Sequence, residues 1–109
     1  SESDSESCFH EEEIPYPRIL ITDDYAFNIE AICVQLKILG IDVDKQIQKA
    51  LNGLQAVEKV KQHGRVNQFH IIFMDCNMPQ MDGYQATKNI REYCDQEGIP
   101  QPYIAAVTG

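Results

Sequence analysis

The sequence predicts an α/β protein built on a doubly wound parallel sheet. Short β-rich runs alternate with helix-patterned stretches in the order β-α-β-α-β-α-β. Such alternation calls for crossover connections, and right-handed crossovers place helices on both faces of a parallel sheet. The third β run, residues 69–74 (Phe-His-Ile-Ile-Phe-Met), is continuous and apolar, as in a strand covered on both sides. A chain of 109 residues, 43% of them hydrophobic, has room for one domain with one core.

Each element has its own signal. Residues 18–22 (Arg-Ile-Leu-Ile-Thr) follow Pro15 and Pro17 and read as the first strand, ending at Asp23-Asp24. Ile29, Ile32, Cys33, Leu36 and Leu39 recur at helical spacing, and Gly40 can end that helix. Residues 43–50, anchored by Val43 and Ile47, read as a weaker second strand. Asn52 can cap the next helix, which carries Leu54, Val57 and Val60 and closes at His63-Gly64. After the third strand, with His70 placed inside it, residues 84–96 set Ala86, Ile90, Tyr93 and Cys94 on one helical face. A loop with Pro100 and Pro102 leads to the last strand, 103–107.

The charge is uneven. Residues 1–13 hold Glu2, Asp4, Glu6, Glu11, Glu12 and Glu13 without a Lys or Arg, which leaves eleven acids against nine bases in the rest. This acidic tail, residues 1–15, is expected to be disordered, because it has too little apolar surface to offset ordering entropy. An acidic chain without a basic patch repels phosphate backbones, so no direct nucleic-acid partner is expected. No apolar run is long enough to span a bilayer, and a soluble intracellular protein, or a soluble piece of a larger one, is expected, in the cytoplasm or on the cytoplasmic side of a membrane. Cys8, Cys33, Cys76 and Cys94 lack metal-site spacing and suit a reducing compartment. Cys76, Met74, Met78 and Met81 read as packing residues.

The chemistry gathers in the strand ends. Asp23 and Asp24 close the first strand, Asp75 the third and Thr108 the fourth. In open parallel sheets, sites form at the carboxyl ends of strands where strand order reverses, so these residues meet if the first and third strands are neighbours. Carboxylates held together repel unless a cation relieves them. Hard oxygen ligands at an open site favour Mg²⁺, which commonly bridges carboxylates to a phosphate. A carboxylate beside such an ion can attack a phosphoryl group, and the Thr108 hydroxyl is placed to bond a transferring oxygen. The simpler reading, that Asp23 or Asp24 only caps the following helix, stays open here.

Three strings taken together, 19–24 (ILITDD), 74–86 (MDCNMPQMDGYQA) and 103–109 (YIAAVTG), resemble the receiver domain of two-component response regulators. The resemblance runs from about Pro17 to the end and is closest to receivers attached to hybrid sensor histidine kinases. It implies a flavodoxin-like sheet of order 2-1-3-4 and a phosphorelay role. Asp75 matches the phosphoacceptor, Asp24 the direct Mg²⁺ ligand, Asp23 its largely water-mediated partner, and Asn77 the residue whose backbone carbonyl also binds the metal. Thr108 matches the switch hydroxyl, while Met78-Pro79 and Asp82-Gly83 match the loop-shaping turn. The implied donor is a histidine kinase or histidine phosphotransfer protein. The implied role is phosphoacceptance, with at most self-phosphorylation and autodephosphorylation, rather than turnover of a substrate.

Departures are visible. Tyr25 and Gln85 stand where other residues are commoner. Receivers also continue into a fifth strand bearing a Lys, so residues 16–109 are expected to be an incomplete receiver. A pseudo-receiver that only binds partners is the alternative this raises. A phosphate-ester hydrolase of the haloacid dehalogenase kind is not expected, because Asn77 occupies the place of its second acid.

Overall fold

The computed structural model describes residues 17–76, 78 and 81–107. The acidic tail, Cys8, Asn77, Pro79 and Thr108 lie outside these described residues. Strand β1 (Ile19–Thr22) leads into helix α1 (Ala26–Ile38), a helical turn α2 (Val43–Gln46) and strand β2 (Ile47–Ala50). Helix α3 (Gly53–His63), strand β3 (Ile71–Asp75), helix α4 (Gly83–Glu97) and strand β4 (Tyr103–Val107) follow.

The strands pair in parallel in the order β2-β1-β3-β4, as the resemblance implies. Successive residues of a strand face opposite sides, and β1 shows it. Leu20 joins Ile72 and Met74 beneath α3 and α4, where Ala56, Val60, Ala86, Ile90 and Cys94 complete a core. Ile19 and Ile21 turn the other way, against Ile29 and Cys33 of α1 and Ile47 of β2. Both faces of β1 are therefore covered, which is why its pattern is apolar without alternation.

The helix starts follow local chemistry. Asn52 Oδ1 accepts from the Gln55 N–H at 2.8 Å, and Asp82 Oδ1 accepts from the Gln85 N–H at 2.9 Å. These bonds satisfy amides that the first turn leaves without helical acceptors. Asp82 is thereby a cap, separate from the acid cluster.

Several expectations are corrected. The first half of 43–50 is not strand. Asp42 Oδ1 accepts from the N–H groups of Asp44 and Lys45 at 3.1 and 3.2 Å, so a side-chain cap draws Val43–Gln46 into a turn. The buried Gln46 then donates to the Pro17 carbonyl at 3.0 Å and fixes the entry into β2. His70 precedes β3 rather than lying inside it, because its Nδ1 accepts the Arg18 backbone N–H at 3.0 Å. Leu39 and Leu54 are 77% and 45% exposed. Leu39 falls at the C-cap of α1, beyond the turn that faces the sheet. Leu54 is the second residue of α3, whose sheet-facing positions are Gly53, Ala56, Val57 and Val60.

Candidate metal centre

The register of the sheet sets the site. Thr22 lies opposite Met74, so Asp23, one residue past β1, comes level with Asp75, the last residue of β3. Asp24 follows in the same turn. One carboxylate oxygen from each of Asp23, Asp24 and Asp75 lies within 4.8 Å of the others. Asp23 is buried, Asp75 half-buried and Asp24 exposed, so the cluster opens to solvent on one side.

The three acids are held differently. Asp23 Oδ1 accepts the Tyr25 N–H at 2.9 Å, and Asn28 Nδ2 approaches both oxygens at 3.4 and 3.3 Å. Its backbone N–H donates to the Ala50 carbonyl at 3.1 Å, which ties the turn to β2. Tyr25 is the N-cap residue of α1 and makes no side-chain capping bond. Asp24 is therefore no helix cap. Asp23 does accept one amide of that turn, yet it also reaches the other two carboxylates. Capping alone does not account for the cluster.

Behind Asp75 the backbone is crowded. A Cβ at Gly83 would collide with the Asp75 carbonyl oxygen, so the start of α4 packs directly on the acid's own peptide. The Gly83 N–H donates to the Cys76 carbonyl at 3.4 Å, and the Cys76 N–H donates to the Val107 carbonyl at 3.3 Å. A second close approach joins the neighbouring loops, where the Gly53 N–H donates to the Met81 carbonyl at 3.2 Å and a Cβ on Gly53 would strike that oxygen. Cys76 and Met78 are buried and Met81 packs against the core, as expected of packing residues. The Tyr84 hydroxyl shares a hydrogen bond with the Cys76 thiol, which pushes the Tyr84 pKa up.

Sequence reasoning anticipated the acids that the structure brings together: Asp23, Asp24 and Asp75. Asn77 and Thr108 fall outside the described residues. It missed Asn28 and Tyr84. A polar residue in the first turn of an otherwise apolar helix was the available signal for Asn28. The donor set, three hard oxygen ligands with an open side, fits a small divalent cation such as Mg²⁺ better than a soft metal.

The fold has counterparts among known proteins. The family model described as "Response regulator receiver domain" matches residues 19–109. Among curated relatives, the Arabidopsis thaliana histidine kinase CKI1 is 34% identical over 94 residues, which is 81% of this chain and 8% of that protein. The Dictyostelium discoideum hybrid signal transduction histidine kinase F is 43% identical over 77 residues, covering 71% of this chain and 6% of its own. The chain thus spans less than a tenth of these relatives' length. Among solved structures, the receiver domain of CKI1 complexed with Mg²⁺ and BeF₃⁻ superposes with a TM-score of 0.73 at 31% identity, covering 88% of this chain and 68% of that one. The CheX-CheY-BeF₃⁻-Mg²⁺ complex from Borrelia burgdorferi gives 0.70 at 25% identity, covering 91% and 66%.

Proposed function

Because the chain belongs to the response regulator receiver family, we propose that it is a phosphoacceptor module of a phosphorelay, with Asp75 as the acceptor. The observation that carries the reading is the convergence of Asp23, Asp24 and Asp75 within 4.8 Å at the carboxyl end of a parallel sheet. An Asp75 carboxylate oxygen attacks the phosphorus of a phosphohistidine on a histidine kinase or phosphotransfer protein. A P–O bond forms and the P–N bond breaks. The electron pair goes to the imidazole nitrogen, and the ring leaves neutral when its other nitrogen carries a proton.

Asp23, Asp24 and Asp75 would hold Mg²⁺, with the backbone carbonyl of Asn77 as a further ligand. The bound ion would offset charge on the carboxylates and on the transferring oxygens. Asn28 and the Tyr25 amide orient Asp23 toward that position. The Thr108 hydroxyl would donate to a phosphoryl oxygen once it is transferred. In this reading residues 16–109 form the phosphoaccepting unit and residues 1–15 an acidic extension. No helix among the described residues is long and apolar enough to cross a membrane. The cytoplasm, or the cytoplasmic side of a membrane-bound hybrid kinase, is the proposed setting, and the free thiols of Cys33, Cys76 and Cys94 accord with it.

The test is incubation with Mg²⁺ and acetyl phosphate followed by intact mass. One added phosphoryl group is expected, lost on chelation and lost in Asp75→Asn. Absence of the adduct in the unaltered chain, or its persistence in Asp75→Asn, overturns the reading and favours a module that only binds partners.

A further inference from the structure

Helix α1 is apolar on two opposite sides. Ile29 and Cys33 are buried against the sheet, and Ile32 and Leu36 pack partly buried beside them. The other side carries Phe27, Ala31, Val34 and Ile38, all exposed, with Phe27 at 73%, Val34 at 57% and Ile38 at 79%. At 3.6 residues per turn these four fall within an arc of about 60°, directly opposite the inward four. A helix with one face on a core ordinarily keeps its outer face polar. Single surface hydrophobes need no cause, but an unbroken stripe of them marks an interaction surface.

The spacing says what fits there. The steps from 27 to 31 to 34 to 38 are four, three and four residues, the alternation of a coiled-coil seam, so the occupant is a helix.

The seam is also complementary to itself. When a second α1 lies antiparallel, with the two-fold axis between Ala31 and Val34, Phe27 meets Ile38 of the second copy and Ala31 meets its Val34. In that arrangement each flank of the seam faces the same flank of the other helix. One flank carries Glu30 and Lys37, which then meet as two opposite-charge pairs, and the other carries the neutral Asn28 and Gln35. A parallel pairing would face Glu30 with Gln35 instead. Antiparallel helices also set each N-terminus beside the other's C-terminus, as their dipoles favour. Glu30 Oε2 accepts from Lys49 Nζ at 3.1 Å within the chain. Both side chains of that pair are exposed, so it is weak, and it engages one of the two carboxylate oxygens.

We infer that the outer face of α1 is a docking surface for a second copy of this chain, paired antiparallel through Phe27, Ala31, Val34 and Ile38. A helix of 13 residues is about 20 Å long, which is short for a permanent interface. The dimer is therefore a weak one whose population follows concentration.

The experiment is sedimentation velocity of the whole chain under reducing conditions, from about 10 μM to about 1 mM. The mass is expected to rise with concentration from that of one copy toward that of two. Val34→Glu, at an exposed position, is expected to keep the fold by circular dichroism and to stay at the mass of one copy. Glu30→Lys and Lys37→Glu are each expected to weaken the dimer by about 10-fold, because both pairs turn from attractive to repulsive. Mixing these two variants in equal amounts restores opposite charges at both pairs, and association is expected to return. A chain that stays at the mass of one copy throughout leaves the seam to a helix of another protein and overturns the inference. So does a dimer that persists in Val34→Glu, or a mixture no more associated than its components. None of these readouts involves Asp75 or phosphoryl transfer.

Discussion

Asp23, Asp24 and Asp75 were legible only together, because an acid after one strand run can simply cap the next helix, whereas acids at the ends of two strand runs share one address in a parallel sheet. Asn28 was not, since its partner is defined only once the β1–α1 turn is built. That turn brings its amide to 3.3 Å from an Asp23 oxygen. If Asn28 orients Asp23, Asn28→Ala is expected to weaken Mg²⁺ binding by up to about 10-fold, the low end for loss of a ligand's supporting bond. Isothermal calorimetry with Mg²⁺ reads this, and circular dichroism checks that the fold is kept. The buried thiols of Cys33 and Cys94 make a separate prediction. Desolvation raises both pKa values. A thiol whose folded pKa exceeds its unfolded value stabilises the fold fully below the unfolded value, about 8.5, and that contribution is lost as pH rises through the folded one. Stability measured by urea denaturation is therefore expected to decline from about pH 8.5 upward, and Cys94→Ala to show a shallower decline.

Elements were read well where side chains mark their ends. Asn52 and Asp82 cap α3 and α4 through one short bond each. Asn52→Ala is expected to cost about 1 kcal/mol in denaturant unfolding, as loss of a cap does. Ile90 packs fully buried between α4 and the sheet, and Ile90→Ala is expected to cost about 2–5 kcal/mol by the same measurement. The turn α2 was illegible because Val43 and Ile47 satisfy either a strand or a turn. Only the Asp42 bonds to the amides of Asp44 and Lys45 decide between them. Leu39 misled for a related reason. Its spacing continues the helical repeat, but its position at the end of α1 carries it off the sheet.

Over the whole molecule, strand order divides stability. β1 is paired on both sides and buried at all four residues, whereas every residue of β4 keeps some exposure. Amide exchange is expected to be slowest in β1 and β3 and faster in β2 and β4, because opening an edge strand exposes less apolar surface. Hydrogen–deuterium exchange by mass spectrometry reads it, and uniform rates across the four strands would contradict it. The close approach at Gly53 and Gly83 has a consequence for variation. Each position faces a backbone oxygen, of Met81 and of Asp75, that no side-chain rotation can move aside. A library randomised at both codons and selected for soluble, folded protein is expected to return glycine at each. The descent of this loop pair is thus narrowed to one residue at two places, whatever drift does to the surface around them.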